Sequence, residues 1–253
     1  MKVEYVFGIF DFGVFVKNKK SYYYIYLFKL LKDYLEDDMN KIKLVLFDMD
    51  GTLLKERGIF EIAKKKKFVK KLEVLINDKN LDFHERSIEI AKLSRGLDKN
   101  DLLKIFRKIT LNDNVEYVIK EIKKKGIYTA IVTDSYLFLA EDLKNRLDID
   151  YVFANNLIID NNIITGEIKI HNKELKRDFY SGEIYSICKS CVLEDLCKKL
   201  NINTNDTIAI GDGKVDIGML KKAGIGIAFN AAVEVQKNAD IVTSDMKKIL
   251  EYI

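Results

Sequence analysis

Apolar and polar residues alternate in blocks along most of this chain, and the block lengths indicate which elements they form. An apolar run over 41–47 is typical of a buried strand, and helical periodicity follows over about 58–109. Strands and helices then alternate to the C-terminus. Helices are predicted over 112–125, 137–147, 187–200 and 214–222, and strands over 127–132, 151–154, 207–210 and 225–229, before a final strand and helix. This alternation predicts an α/β fold with a mainly parallel sheet and helices on both faces.

One pair of apolar runs predicts a hairpin within this pattern. Leu157–Ile159 and Ile163–Ile168 are separated by Asp160-Asn161-Asn162, which are turn-forming residues. The helical stretch 58–109 also interrupts the strand–helix rhythm, with helices predicted over 60–63, 81–93 and 98–105. We therefore expect this stretch to form a small helical cap inserted after the first strand. Lys64–Lys67, Lys70 and Lys71 form a basic run there, for which a solvated helix face is favoured over attraction of an anionic ligand.

Residues 1–38 differ from the rest of the chain. They are rich in Phe and Tyr, interrupted by Asp11 and a basic cluster at 17–20, and they lack the charge order of a signal peptide. Three interpretations stay open: an extra strand and helix packed on the core, a membrane-surface or partner-binding segment, or residues that precede a true start at Met39. The predicted division is therefore an N-terminal extension (1–38), a core domain (39–54 and 111–253) and a cap (55–110).

Composition places the chain of 253 residues among globular proteins, because 48% of residues are hydrophobic and 32% are charged. The net charge of +4 mildly favours anionic ligands and does not indicate nucleic acid. No apolar run reaches the roughly 18 residues of a membrane-spanning helix. Three clustered cysteines predict reduced thiols in the cytoplasm, and the spacing Cys188-x-x-Cys191 leaves helix packing or a metal or redox role open. The oligomeric state is not predicted.

Candidate chemistry begins at the end of the first strand, with Asp48-Met49-Asp50-Gly51-Thr52. Residues i and i+2 of a strand face the same way, so Asp48 and Asp50 can converge beyond its carboxyl end. Ligands of open α/β sheets bind at that edge. Two carboxylates there can bind a hard cation such as Mg²⁺, or divide into a nucleophile and a proton carrier.

Further polar groups follow other predicted elements. Thr133-Asp134-Ser135 ends a strand, Lys189 opens a helix, and Gly211-Asp212-Gly213-Lys214-Val215-Asp216 follows the strand 207–210. If the strands are parallel and adjacent, these groups meet at one edge of the sheet. Carboxylates for a metal, together with a lysine, a hydroxyl and backbone N–H groups for an anion, suit Mg²⁺ plus a phosphate.

These motifs, in this order and spacing, resemble the haloacid dehalogenase (HAD) superfamily, close to its phosphoserine phosphatase-like branch. The resemblance covers residues 39–253 and implies the Rossmann-like HAD fold and a Mg²⁺-dependent phosphatase acting on a small phosphorylated metabolite. It implies that Asp48 is the nucleophile, that Asp50 is the proton carrier, and that Thr133, Lys189, Gly51 and Thr52 bind phosphate. The metal site would use Asp48, Asp50 through its backbone carbonyl, and Asp212, with Asp216 in support.

Several positions depart from that branch. Arg57 stands where a cap glutamate meets the serine amine, and Ile90 falls where a cap arginine meets the carboxylate, although Arg86 and Arg95 lie nearby in the sequence. Asp134 and Ser135 replace two glycines. Val215 replaces the asparagine that usually precedes the final aspartate. We therefore expect Arg57, Asp134 and Ser135 to contact a substrate other than phosphoserine. Phosphoserine itself, phosphoryl transfer to a second substrate and a HAD-fold binding protein remain alternatives.

Overall fold

The structure is a computed structural model that describes residues 42–253, so the predictions for residues 1–38 lie outside the described residues. Its centre is a seven-stranded sheet with the order β4-β3-β2-β1-β5-β6-β7. The strands are β1 (Leu44–Phe47), β2 (Tyr128–Tyr136), β3 (Tyr151–Asp160), β4 (Ile163–Lys169), β5 (Thr207–Gly211), β6 (Ile225–Phe229) and β7 (Ile241–Thr243). All neighbouring pairs are parallel except β3 and β4. The predicted mainly parallel sheet is confirmed.

The central strand β1 explains why its sequence is apolar at consecutive positions. Leu44 and Leu46 pack in the hydrophobic core on one face of the sheet, and Val45 and Phe47 pack in the core on the other face. All four side chains are fully buried. Because β1 also pairs with β2 and β5 on its two sides, it has no solvent-facing edge or face.

Helices cover both faces of this sheet. The helices are α1 (Gly58–Lys66), α2 (Val69–Asn77), α3 (Phe83–Lys92), α4 (Lys99–Phe106), α5 (Val115–Lys124), α6 (Leu137–Leu147), α7 (Lys189–Leu200), α8 (Ile217–Lys222) and α9 (Val233–Gln236). Side chains of α5 and α6 belong to the core that contains Val45 and Phe47, whereas α7 and α8 contribute to the core on the opposite face. The last predicted helix is a 3₁₀ segment, Met246–Glu251.

The insertion between β1 and α5 contains four helices, one more than the sequence pattern singled out. Helix α1 ends at Lys66 because Lys67 adopts a left-handed conformation (φ 64°), and α2 begins at Val69. The basic run 64–71 therefore spans two helices and the turn between them, rather than one helix face. The division into core and cap at residues 55 and 110 stays a prediction.

The predicted hairpin is present, with one difference in its first arm. The two short strands predicted over 151–154 and 157–159 form a single strand, β3. Asn161 and Asn162 both have positive φ (46° and 70°), as a two-residue turn between twisted strands requires. Backbone hydrogen bonds tie β4 to the insertion: Gly96 N donates to Ile164 O (2.8 Å) and Ile164 N donates to Leu97 O (2.9 Å).

Two further sequence expectations are corrected. Strand β2 does not end at Val132 but continues to Tyr136 with a register shift, so Thr133-Asp134-Ser135 lies within the strand. Reduced thiols were expected, but Cys188 and Cys191 are joined by a disulfide. The bridge can form because the first turn of α7 brings their Cα atoms to 5.2 Å. Within residues 42–253, no helix combines the length and apolar character needed to cross a membrane.

Candidate active site

Asp48 and Asp50 leave β1 at the carboxyl edge of the sheet, where the sequence predicted them to converge. Asp48 is buried, and its backbone N–H donates to Ile210 O in the neighbouring strand (2.9 Å). The tight turn that follows is held by Asn112, whose side-chain amide donates to the carbonyl oxygens of Gly51, Thr52 and Leu54 (3.1, 2.8 and 3.2 Å). Asn112 belongs to none of the sequence motifs, because it lies about sixty residues from the turn it holds.

Lys189 lies between two carboxylates beneath this turn. Its ammonium donates to Asp48 Oδ1 (2.5 Å) and to Asp216 Oδ1 (2.6 Å), and all three side chains are almost fully buried. Burial disfavours the ammonium, but the two carboxylates outweigh it and raise the pKa of Lys189 above its ordinary value. The lysine is therefore held as a cation at the floor of the site.

Asp216 connects Lys189 to the loop after β5. Its second oxygen, Oδ2, accepts hydrogen bonds from the backbone N–H groups of Asp212 (3.0 Å) and Gly213 (2.8 Å). A Cβ at position 211 would overlap the Asp216 side chain, which is why this loop needs a glycine there. Asp216 thus fixes both the lysine and the loop that presents Asp212.

Three carboxylates form a group that could hold a metal ion. Asp48, Asp212 and Asp216 each offer an oxygen, and these oxygens lie within 4.8 Å of one another. Burial raises the pKa of Asp212 to about 6, with the Asp216 charge adding to it, and burial raises the pKa of Asp48 against the effect of Lys189. An all-oxygen set with excess negative charge fits a hard divalent cation such as Mg²⁺. The Asp50 carboxylate does not belong to this group of three.

The Asp50 carboxylate is bound from the insertion instead. Gly58 N, at the start of α1, donates to Asp50 Oδ1 (2.5 Å). Burial raises the pKa of Asp50 to about 6, the Gly58 hydrogen bond opposes that rise, and the Asp134 charge adds to it. A carboxyl group with such a pKa exchanges its proton near neutral pH, as a general acid and base requires.

The residues predicted to bind phosphate lie in different surroundings. A Cβ at Gly51 (φ 95°) would lie 2.5 Å from Asp212 Oδ2, and Thr52 Oγ1 lies 3.5 Å from Asp212 Oδ1. Both residues therefore contact Asp212 directly. Thr133 is fully buried, and its Oγ1 accepts a hydrogen bond from Ser135 N (3.2 Å). Their role in phosphate binding stays a prediction.

A cavity of 290 Å³ opens above the carboxylates, between the sheet edge and the insertion. The substrate candidates Arg57, Asp134 and Ser135 line it, and so do Ile90 and Val215. Sequence reasoning missed much of the remaining wall, which is largely apolar and aromatic: Ile59, Phe60, Ile76, Phe83, Tyr136, Ile168 and Tyr185. No motif marks these residues, because they come from separate elements that meet only in the folded chain.

Two arginines lie on this cavity in different settings. Arg57, the residue before α1, is exposed and lies close to four carboxylates, those of Asp134, Asp212, Asp48 and Asp50. Arg86 lies over the Phe83 ring (4.8 Å) and donates to the carbonyl oxygens of Leu81 and Ile76 (3.0 and 3.3 Å). Arg95, the other arginine considered from the sequence, does not line the cavity.

The haloacid dehalogenase-like hydrolase family matches residues 45–221. The chain belongs to this family. A phosphoserine phosphatase from Methanocaldococcus jannaschii is 35% identical over 218 residues, which are 84% of this chain and 98% of that protein. The structure of a phospho-aspartyl intermediate analogue of phosphoserine phosphatase has 32% identity and a TM-score of 0.72, over 84% of this chain and 99% of that chain.

A HAD family hydrolase from Salmonella enterica serovar Typhi is also similar in structure. Its TM-score is 0.76 at 27% identity, over 84% of this chain and 71% of that chain. The expected HAD fold and the likeness to the phosphoserine phosphatase branch are both confirmed. The protein is a HAD phosphatase, a hydrolase of phosphoric monoesters.

Proposed function

We propose that this HAD phosphatase is Mg²⁺-dependent, hydrolyses a small-molecule phosphate monoester through an aspartyl phosphate, and acts on a substrate other than phosphoserine. The observation that carries the proposal is the pair of buried ion pairs that Lys189 makes with Asp48 and Asp216. They lie at the floor of a cavity that Asp50 also lines. It combines a fixed carboxylate nucleophile, a fixed cation and a separate proton carrier.

Asp48 is the proposed nucleophile. Its carboxylate attacks the substrate phosphorus, the bond from phosphorus to the ester oxygen breaks, and the phosphoryl group is transferred to Asp48. Lys189 orients the carboxylate through Oδ1, which favours Oδ2 as the attacking oxygen. The buried ammonium also offsets the repulsion between an anionic nucleophile and an anionic ester.

Asp50 is the proposed proton carrier. In its protonated form it gives its proton to the departing alcohol oxygen, and it then takes a proton from the water that hydrolyses the aspartyl phosphate. The pKa of about 6 supports both roles. Because Gly58 N occupies Oδ1, Oδ2 is the oxygen available to carry the proton.

The donor set suits Mg²⁺. Asp48 and Asp212 would hold the ion together with the Asp50 backbone carbonyl, and Asp216 would act mainly by holding the Asp212 loop, since both of its oxygens already accept hydrogen bonds. When bound, Mg²⁺ supplies positive charge that offsets the negative charge of the phosphoryl group and the carboxylates. Thr133, Gly51, Thr52 and Lys189 remain the proposed contacts of the phosphoryl oxygens.

The cavity wall supports a substrate other than phosphoserine. Arg57 stands where the resembled branch has a glutamate for the substrate ammonium, and Ile90 stands where it has an arginine for the carboxylate. Both residues line the cavity. Away from the carboxylates, a group of apolar and aromatic side chains lines the cavity, among them Phe60, Phe83 and Tyr185. A phosphate monoester with an apolar body and no ammonium group next to the ester fits it best.

The test compares wild-type protein with Asp48→Asn on p-nitrophenyl phosphate and on a panel of phosphorylated metabolites. We expect Mg²⁺-dependent phosphate release by the wild type, with phosphoserine among the poorer substrates, and loss of release in the variant. Turnover of Asp48→Asn at the wild-type rate would remove the nucleophile assignment. Phosphate release that survives chelation would remove the metal requirement.

Phosphoserine phosphatase activity is the second candidate. The names of relatives over most of the chain support it, and Arg86 lies on the cavity where it could meet a carboxylate. The same panel decides between the two candidates. If kcat/KM for phosphoserine exceeds that for every other ester of the panel, the second candidate replaces the first.

A further inference from the structure

Two of the three cysteines flank Lys189. Cys188 and Cys191 form a disulfide across the first turn of α7, and Lys189 is the first residue of that helix. The bridge therefore closes a ring around the backbone of the residue whose ammonium binds Asp48 and Asp216. Neither the catalytic chemistry proposed above nor the family resemblance uses these sulfur atoms.

The two sulfur atoms lie in different surroundings. Cys188 is only 4% exposed, and its Sγ accepts the backbone N–H of Cys191 (3.3 Å) at the N-terminus of the helix. Cys191 is half-buried, so it is the more exposed of the two cysteines. Helix N-terminal N–H groups stabilise a thiolate, so Cys188 is the better leaving group and Cys191 is the sulfur that a reagent meets.

The third cysteine provides an internal reference. Cys197 is a residue of α7, is 2% exposed and packs in the hydrophobic core. Burial raises the pKa of its thiol to about 11, with Asp206 and Glu194 adding to the rise. Its burial and its raised pKa both disfavour reaction of Cys197 in the folded protein.

We propose that Cys188 and Cys191 form a thiol–disulfide exchange site for dithiol and disulfide reagents, and that its state controls how firmly Lys189 is held. In the reductive direction, a dithiol reagent attacks Cys191 Sγ as a thiolate, the Sγ–Sγ bond breaks, and Cys188 leaves as a thiolate. The second thiol of the reagent then displaces Cys191, which takes up a proton. The reagent becomes a disulfide, and the protein gains two electrons as a dithiol.

Reduction removes the covalent ring around Lys189. The first turn of α7 then depends on its remaining contacts, among them the Ser190 hydroxyl, which donates to buried Asp178 (2.9 Å). We expect the dithiol form to hold the Lys189 ammonium less firmly against Asp48. This second part rests on the proposed function, because Lys189 affects turnover only if it acts in phosphoryl transfer.

The exchange site is tested on the full chain equilibrated in a series of ratios of reduced to oxidised dithiothreitol. Samples are quenched in acid, denatured and labelled with a maleimide, and the number of labels is measured by intact-protein mass spectrometry. We expect a two-state change from one label (Cys197) to three labels within the series. Three labels at every ratio, or one label even in fully reduced dithiothreitol, would overturn the proposal.

Single variants test the assignment of the two sulfurs. Cys188→Ser leaves Cys191 free, and we expect it to form a mixed disulfide with oxidised glutathione about tenfold faster than Cys191→Ser does. Faster reaction of Cys191→Ser would reverse the assignment. Cys197→Ala is the matched control, and it should keep the two-label change with one label fewer in each state.

Turnover of p-nitrophenyl phosphate at saturation tests the effect on Lys189. We expect kcat to be about threefold lower in the dithiol form, and the double variant Cys188→Ser/Cys191→Ser to show the same kcat at every ratio. Equal kcat in both states of the wild type would disprove the control of Lys189. If no ester is hydrolysed, the proposed function fails, and the mass experiment still decides the exchange site.

Discussion

The backbone N–H of Gly58 donates a 2.5 Å hydrogen bond to the carboxylate of Asp50. The first residue of the inserted helix α1 thus holds a side chain of the motif that follows β1. Arg57, which precedes it, is extended (φ −76°, ψ 124°), so the helix begins at the point of this contact. A backbone donor of the insertion therefore contacts the Asp48–Thr52 motif directly.

Gly58→Pro should remove that donor without ending the helix. Proline is tolerated at the first helical position, and an extended preceding residue suits it. The Gly58 hydrogen bond lowers the pKa of Asp50, and the proline ring would also crowd Asp50 Oδ1. Loss of the bond should therefore raise that pKa above about 6 and lower kcat about tenfold. The pH profile of kcat measures both effects.

Gly58→Ala is the matched control for the proline variant. Its Cβ would lie 3.3 Å from Asp50 Oδ1 and from the Phe106 ring, which is tight, but the N–H is kept. We expect its pH profile to stay near that of the wild type. A profile shifted as far as that of Gly58→Pro would show that crowding, and not the lost donor, moves the pKa of Asp50.

Asp216→Asn should lower the free energy of unfolding by about 3–5 kcal/mol. The side-chain amide of the variant has one oxygen, which can accept from Lys189 or from the two backbone N–H groups. The amide NH₂ group must then face whichever donor is left. Urea unfolding in the presence of a chelator measures the loss without a metal contribution. The exposed pair Asp195–Lys198 (3.7 Å) offers the control Asp195→Asn, for which we expect no measurable change. Equal midpoints for the two variants would contradict the role of Asp216.

Mg²⁺ should stabilise the protein more at about pH 7.5 than at about pH 5. The folded-state pKa of Asp212, about 6, lies above its ordinary value of 3.8. Between these two pH values, Asp212 therefore binds more protons in the folded protein than in the unfolded chain. Without metal, the contribution of Asp212 to the free energy of unfolding therefore falls as the pH rises from about 4 through about 6. Mg²⁺ would bind the deprotonated carboxylates and so would restore the lost stability.

Thermal unfolding with and without Mg²⁺ measures this effect at each pH. Asp212→Asn should remove most of the stabilisation by Mg²⁺, whereas Asp195→Asn should keep it. An equal rise in Tm at the two pH values would contradict a carboxylate site of this kind.

Arg57→Glu should change the substrate preference. It replaces a cation on the cavity by a carboxylate, so kcat/KM for phosphoserine relative to p-nitrophenyl phosphate should rise about tenfold, through attraction of the ammonium group. Lys65→Glu makes the same charge change at an exposed position of α1 away from the cavity, and we expect its ratio to match the wild type. If the two variants shift this ratio of kcat/KM values equally, Arg57 does not determine the substrate preference.

The sequence was most informative where local patterns decide the structure. Leu44–Phe47 is apolar on both faces because the strand is central, and the turn-forming Asn161-Asn162 fixed the hairpin. Asp48, Lys189 and Asp216 could be brought together from their positions at the ends of elements. Parallel strands alone place such ends at one edge.

The sequence was least informative where distant segments meet. Helix α2 was not singled out, because the basic residues around Lys67 hide the break between two helices. Asn112 and the apolar cavity wall gain their roles only from contacts across the insertion. The Cys188–Cys191 bridge is a local contact that the sequence also did not predict, because the spacing left helix packing and a metal or redox role open.

The hairpin also limits how the cavity can admit a ligand. Backbone bonds join Gly96 and Leu97, between α3 and α4, to Ile164 of β4, so this half of the insertion is an extension of the sheet edge. An entrance that widens while those bonds are kept can come from α1 and α2, which carry Phe60 and Ile76 on the cavity. Substrate entry and the Gly58 contact with Asp50 would then be mechanically coupled, because α1 would both admit the ester and hold the proposed proton carrier.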